Sequence, residues 1–376
     1  MFKSLYKIIF LGLIFIWHSQ AAIAKTPNIN VVLESGLILA LSGDAGMVIN
    51  ERRLPGLVNV PTNPAVTGVE VDYASSHLFV YHRPAHEAQD IHAFDFISLK
   101  PILHIRNNAI ATLPVEVLGP LVVRHGLGEY VGPENGEYLS YSLELYDRKT
   151  LSLVKLMEKP LDQWQASTQF RCYSRDQKAF WGEYALSLLD EKTLGVRSLA
   201  DESNKAERHR LVGAGAVAGC WPDQRILLFF PPSKDNKMDG KISRYDPKTK
   251  KLDVINIPLR TDYLTAGCEA SGSNGQYAFC WYGDHLDVYD FDLGQSLGRF
   301  NLPNNMPPYT SLWLVGKSRS RDRWFFTHGR AASLEGTAAE RLFILDLKGR
   351  PEFREFHISA PRKSSIGGIR GVFQLD

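Results

Sequence analysis

The sequence predicts an all-β chain assembled from repeated small sheets, and three observations predict it. A short phrase of alternating apolar residues closed by an aspartate occurs six times, as IHAFD, LELYD, LSLLD, ISRYD, LDVYD and LFILD. The phrases end at Asp95, Asp147, Asp190, Asp246, Asp290 and Asp346, at intervals of 52, 43, 56, 44 and 56 residues. A weaker copy, LALSGD, ends at Asp44. Self-similarity at this period marks an array of supersecondary units. Second, each phrase is followed by turn-forming residues and another alternating run, as in Leu143–Asp147, Arg148-Lys149-Thr150, then Leu151, Leu153 and Leu156. That is a hairpin of half-buried strands. Third, helical periodicity is nowhere sustained, which excludes a solenoid of helices.

Residues 1–24 stand apart from the repeats. Lys3 and Lys7 give a basic start, IIFLGLIFIW is an apolar run too short to span a bilayer, and Ala22-Ile23-Ala24 is a small-x-small cleavage site. The segment reads as a secretory signal peptide and predicts export to the periplasm, with no membrane span after cleavage. Removing it takes Lys+Arg from 43 to 41 against 41 Asp+Glu. A formally neutral chain lacks the basic excess that nucleic acids or anionic membranes require.

Residues 25–376 read as one domain. Two further apolar runs lie upstream of each hairpin: Gln169–Tyr173 and Ala179–Tyr184, Ala216–Trp221 and Ile226–Phe230, Thr265–Cys268 and Tyr277–Trp281. Four strands per repeat of about 50 residues is the content of a β-propeller blade. The first repeat has only the hairpin Gly36–Arg53, while Ser364–Asp376 looks like inner strands without a hairpin. Pairing the two ends completes one blade, so seven four-stranded blades are expected, closed into a ring by the N- and C-terminal strands. The repeated aspartates are expected to bond the amides of their own turns.

Four cysteines, Cys172, Cys220, Cys268 and Cys280, allow three pairings in an exported chain. Cys268 and Cys280 fall on consecutive strands joined by a Gly/Ser-rich turn, close enough to bridge. Cys172 and Cys220 fall on equivalent strands of neighbouring blades and are expected to stay unpaired.

Candidate sites follow from the architecture. The second-to-third strand connections are enlarged at Arg83–Asp90, Gly126–Glu137, Pro231–Gly240 and Gly329–Glu340. Loops on a rigid scaffold are the usual place for binding. His82, His86, His92, His125 and His328 flank them. His82, His86, Glu87 and Asp90 could be drawn as a metal cluster, but an i,i+4 His pair has ligand geometry on a helix and this segment is a loop, so no metal site is expected. The innermost strands nominate Glu70, Asp72, Glu116, Arg171, Glu269, Trp313 and Arg370 as the lining of an axial channel. No GxSxG elbow, phosphate-binding glycine loop or HExxH helix is present.

Phe79–Asp95, FVYHRPAHEAQDIHAFD, resembles the heavy chain of bacterial amine dehydrogenases, which are periplasmic seven-bladed propellers. Gly267-Cys268 with Phe279-Cys280 and Gly283-Asp284 is similar to a heavy-chain segment whose cysteines are bridged, and Trp324–Asp346 is a third similar stretch. The resemblance implies a scaffold and substrate-gate subunit that carries no cofactor itself. A tryptophan-derived quinone would belong to a small cysteine-rich light chain docked on it, and electrons would pass to a copper protein or cytochrome. The gate and partner face would comprise Pro84, His86, Glu87, His125 and His328, with Glu87 where the methylamine-type family has a phenylalanine. Two other classes stand beside this reading: a non-catalytic propeller binding a glycan, peptide or envelope protein, and a hydrolase or lyase using channel carboxylates.

Overall fold

In a computed structural model, the structure describes residues 28–42, 46–57, 66–82, 90–105, 111–112, 115–118, 121–131, 137–160, 184–190, 193–198, 207–210, 216–221, 225–230, 240–246, 249–257, 267–272, 275–282, 285–302, 310–330, 341–358 and 368–374. In several strands, among them those of Glu116, His125, Cys220 and His328, the description stops at the backbone. The signal segment, Pro84, His86, Glu87, Arg171 and Cys172 lie outside the described residues.

Every regular element described is a strand, and all pairings are antiparallel and between strands near in sequence except where the chain ends meet. β1 (Ile29–Leu33), β2 (Leu37–Leu41) and β3 (Val48–Arg53) come first. β4 (Val66–Asp72), β5 (His77–His82), β6 (Asp90–Asp95) and β7 (Pro101–Ile105) make a complete sheet. β8 (Ala111–Thr112) and β9 (Glu116–Leu118) both pair with β10 (Leu121–Val131), which continues to β11 (Glu137–Asp147) and β12 (Leu153–Pro160). β13 (Tyr184–Asp190), β14 (Thr193–Ser198) and β15 (Glu207–Arg210) form a three-stranded sheet. Two more four-stranded sheets are β16 (Ala216–Cys220), β17 (Ile226–Phe230), β18 (Gly240–Asp246) and β19 (Lys251–Ile257), then β20 (Gly267–Ser271), β21 (Tyr277–Trp281), β22 (His285–Asp290) and β23 (Gln295–Asn301). The last are β24 (Thr310–Ser318), β25 (Arg323–Arg330), β26 (Arg341–Asp346) and β27 (Glu352–His357), followed by β28 (Ile369–Gln374).

The two chain ends share a sheet. β28 pairs antiparallel with β1, Val31 opposite Val372, and parallel with β24, Gly316 opposite Val372. The N-terminal end supplies three strands and the C-terminal end one, where two and two were expected. The run INVVL before Gly36 is a strand in its own right, paired on both edges and buried on both faces, Ile29, Val31 and Leu33 on one and Val32 on the other. Its turn into β2 uses Gly36 at φ +74°, a conformation open to glycine.

The core lies between sheets rather than inside any one of them. Trp221, Leu227 and Ile242 pack on Ala270, Ala278 and Tyr289 of the next sheet. Phe279 and Leu286 pack on Trp324, Phe326 and Phe343. Phe325 and Ile344 pack on Val31, Leu39 and Val372, Val32 and Ile38 on Leu78, Val80 and Phe94, and Phe79 and Tyr81 on Val122 and Tyr146. Five sheets thus pack in succession, the eight-stranded sheet that joins the chain ends among them, with its two halves packed on each other. Burial of this apolar surface is the main favourable term in the fold.

Polar anchors tie the sheets together where the first-to-second strand turns meet their neighbours. The Trp221 Nε1–H donates to the carbonyls of Ser271 and Tyr277, both at 2.9 Å. Ser271 Oγ donates to the Arg321 carbonyl at 2.7 Å and accepts from Trp324 Nε1 at 3.0 Å. The repeated aspartates behave as structural corners: Asp95 accepts from Ser98 N at 2.7 Å, Asp147 from Thr150 N at 2.7 Å, Asp290 from Asp292 N at 2.8 Å and Asp346 from Lys348 N at 3.0 Å. The Ser98 hydroxyl and amide hold the Asp95 carboxyl below the usual range, and the Thr150 amide and hydroxyl do the same for Asp147. Cys268 and Cys280 are directly opposite on β20 and β21 and form a disulfide in the buried core.

Candidate functional site

The first strands of successive sheets converge, and glycine makes the convergence possible. A Cβ on Gly316 would fall 1.9 Å from the Val372 carbonyl oxygen, and one on Gly371 would fall 2.4 Å from Val69 Cβ. β24, β28 and β4 therefore approach more closely than larger residues would permit. Tyr73, in the turn after β4, ties the three: its hydroxyl donates to the Lys317 carbonyl and accepts from Gln374 N at 3.2 Å.

A cavity of about 440 Å³ opens along this seam. Its walls come from Thr67–Val71 of β4, Trp313–Lys317 of β24 and Ile369, Arg370 and Val372 of β28, with Glu269 of β20. Four of the seven nominated channel residues, Glu70, Glu269, Trp313 and Arg370, thus meet in one place. Trp313 is 48 % exposed and presents a broad apolar surface to this space.

Electrostatics differ among the lining groups. Withdrawal from water raises the Glu70 carboxyl above its ordinary value, and the nearby Asp72 charge pushes the same way against the opposing pull of Lys317 and Arg321. Arg370 is engaged by Glu34 from the β1–β2 turn. Lys317 Nζ lies over the Trp324 ring, 5.8 Å from its centre. The lining hydroxyls serve the scaffold: Thr67 Oγ1 donates to the Tyr81 carbonyl at 3.3 Å, and Tyr81 Oη accepts from Val115 N at 2.7 Å. The charged groups of the lining are thus two carboxylates, Glu70 and Glu269, and two cations, Lys317 and Arg370, set beside the Trp313 face.

Asp72, nominated for the channel, points elsewhere. It is fully buried and takes Arg148 of the next sheet through both oxygens, Oδ2 to Nε at 2.7 Å and Oδ1 to Nη2 at 2.5 Å. It also accepts from Ala74 N at 3.0 Å. A strand-end aspartate that caps its own turn is held away from the cavity that its alternation partner Glu70 lines. Glu116 lies on β9 opposite Val123, with its side chain outside the description. Lys317 and the Gly316 approach were missed because a register shift between Leu314 and Gly316 breaks the alternation that runs from Trp313 along β24.

The four enlarged connections do join second to third strands, β5–β6, β10–β11, β17–β18 and β25–β26. Gly126–Glu137 is mostly strand, however. β10 runs to Val131 and β11 begins at Glu137, in keeping with the strand preference of Leu127, Tyr130, Tyr138 and Tyr141. His125 pairs with Leu143 and His328 with Leu312 by backbone register.

No protein-family profile matches the chain, and no curated protein sequence does. Solved structures do. AztD from Citrobacter koseri is similar over 93 % of this chain and 97 % of its own, at 10 % identity and a TM-score of 0.50. The Cps50 (Swd1) β-propeller domain of Myceliophteria thermophila covers 80 % of this chain and 88 % of its own, at 11 % identity and 0.48. The dihydro-haem d1 dehydrogenase NirN in complex with DHE covers 93 % of this chain and 75 % of its own, at 13 % identity and 0.46. The likeness to AztD supports a β-propeller fold for this all-β chain. At these identities the likeness concerns the fold alone.

Proposed function

We propose that this chain is an exported β-propeller binding protein whose central cavity takes a small ligand bearing an ammonium group. The observation that carries the proposal is the cavity, which places two carboxylates, Glu70 and Glu269, with the half-exposed face of Trp313. A carboxylate and an aromatic face both attract a cation. In this reading the sheets form seven blades, closed through β28 and β1, and the signal segment directs the protein to the periplasm.

The test is thermal shift and calorimetric titration with primary amines, amino acids and amino sugars against neutral isosteres of the same size. Ammonium-bearing ligands should raise the melting temperature where isosteres do not, and Glu269→Gln or Trp313→Ala should weaken that binding more than about tenfold. Equal effects of charged and neutral ligands would sink the proposal.

One observation favours a second reading. The Cys268–Cys280 disulfide forms in a segment that carries the amine dehydrogenase heavy-chain resemblance. Here the chain is a cofactor-free subunit that scaffolds a cysteine-rich light chain bearing a tryptophan-derived quinone and passes electrons to a copper protein or cytochrome. Pro84, His86, Glu87, His125 and His328 then form the gate. Co-expression with a neighbouring small cysteine-rich chain, followed by size measurement and amine-dependent dye reduction, separates the readings. A lone monomer with no such gene nearby leaves the binding reading.

A further inference from the structure

Strand register brings together a cluster remote from the cavity in sequence role and composition. On β6, Asp90 and His92 point to the same face of the sheet because side chains alternate. His104 of β7 is directly opposite His92, and His82 of β5 is directly opposite Asp90. Three strands thus deliver three imidazoles and one carboxylate to one patch. One ligand atom each of Asp90, His92 and His104 lies within 4.8 Å of the others.

We propose that Asp90, His92 and His104 bind a first-row divalent cation of the zinc class, with the fourth position open to solvent. The donor set of two imidazoles and a carboxylate suits that class, and three protein ligands with one open position is the arrangement of an accessible rather than a purely structural site. His92 Nε2 is buried and makes no hydrogen bond, an arrangement native proteins seldom leave unexplained. His104 Nε2 is 2.9 Å from Asp90 Oδ2, and its side chain is 39 % exposed, so an ion can enter from that side. The His92 and His104 rings stack at 4.1 Å with planes 13° apart. The buried His82 ring stands edge-on to His92 at 5.3 Å and limits its rotation. Tetrahedral zinc with bonds of about 2.0–2.1 Å needs donor atoms roughly 3.3 Å apart. His104 and Asp90 already meet, so the contraction of at most about 1.5 Å is toward His92; rotation of the Asp90 carboxylate and of the exposed His104 ring about their terminal torsions supplies it and opens the ring stack so that both in-plane nitrogen lone pairs face the ion.

The site escapes sequence spacing because its ligands are neighbours across strands, not along one.

The experiment is titration of the chelator-stripped full chain with zinc sulfate alone, by calorimetry, and with cobalt(II), whose visible bands report coordination. Wild type should bind one equivalent, gain melting temperature with zinc, and give the bands of a four-coordinate ion. His104→Ala and Asp90→Asn should each weaken zinc binding more than about tenfold, beyond the effect of a merely supporting residue at the lower end of its range. Both must melt like the metal-free parent; where His104→Ala does not, Asp90→Asn decides. Absence of stoichiometric binding, or binding that both variants leave intact, overturns the proposal.

Discussion

The Asp72–Arg148 pair offers the sharpest test of how the sheets are held to one another. Both side chains are withdrawn from solvent, at 0 % and 1 % exposure, and they join β4 to the β11–β12 turn of the next sheet. Asp72→Ala removes two charge-assisted hydrogen bonds, each worth about 1.5–3 kcal/mol net, and the turn bond from Ala74. It also strands a buried guanidinium. Breaking such a pair from one side costs about 3–5 kcal/mol, whereas replacing both members by apolar residues is often near neutral. We expect Asp72→Ala to cost about 4 kcal/mol, Arg148→Met about 3 kcal/mol, and the double variant distinctly less than their sum. Urea unfolding followed by tryptophan fluorescence reads the difference, with a double-mutant cycle isolating the pair. If Asp72→Ala costs under about 1 kcal/mol, or the two effects add within about 0.5 kcal/mol, the pair is not what joins these sheets.

Four other outcomes follow from the same geometry. Gly316→Ala drives a Cβ into the Val372 carbonyl and should cost about 3 kcal/mol, the upper end for overpacking, read by the same urea assay. Burial, then the neighbouring His104 and His82, depress the His92 ring to about 4 against the opposing Asp90; the unfolded chain therefore takes up that proton first, so metal-free stability should fall as pH drops from about 6.5 to 4, by about 1–2 kcal/mol after allowance for partial exposure, and His92→Phe should flatten the slope. The raised Glu70 carboxyl means that binding of an ammonium ligand should weaken on acidification at a higher pH than an ordinary carboxylate would give, with Glu70→Gln removing that limb of the titration profile. Deleting 364–376 removes β28 and exposes edges of both β1 and β24; the truncated chain should melt well below the parent, unlike one trimmed of a tail that pairs with nothing.

The repeat was legible because each hairpin encodes its strands locally. Ile226–Phe230 and Tyr277–Trp281 were read to the residue, since each is a short apolar run between turn signals just ahead of a repeat hairpin. The N-terminal strand was missed for the opposite reason. INVVL is a short apolar run with no alternation, and only pairing on both sides makes it a strand. Site residues divide the same way. Glu70, Glu269, Trp313 and Arg370 lie on first strands, so blade logic found them. Asp72 lies on the same strand and fails, because its partner Arg148 comes from another sheet 76 residues away. The Asp90–His92–His104 cluster depends on which residue faces which across a ladder, information carried by register rather than spacing.

The cavity and the joining of the chain ends are one structural event. β28 pairs with β1 and with β24, and the same strand supplies Ile369, Arg370 and Val372 to the cavity wall. Arg370 reaches back to Glu34, so a lining residue from the C-terminal end is positioned by the N-terminal end. Glycine at 316 and 371 sets how closely β24, β28 and β4 approach, and that approach sets the width of the space between Glu70 and Trp313. Occupancy of the cavity therefore favours the docked state of β28, and any ligand bound there stabilises the paired ends by mass action. The cavity proposed to hold a ligand is therefore walled by the same strand that joins β1 to β24, so ligand affinity and the pairing of the end strands should change together.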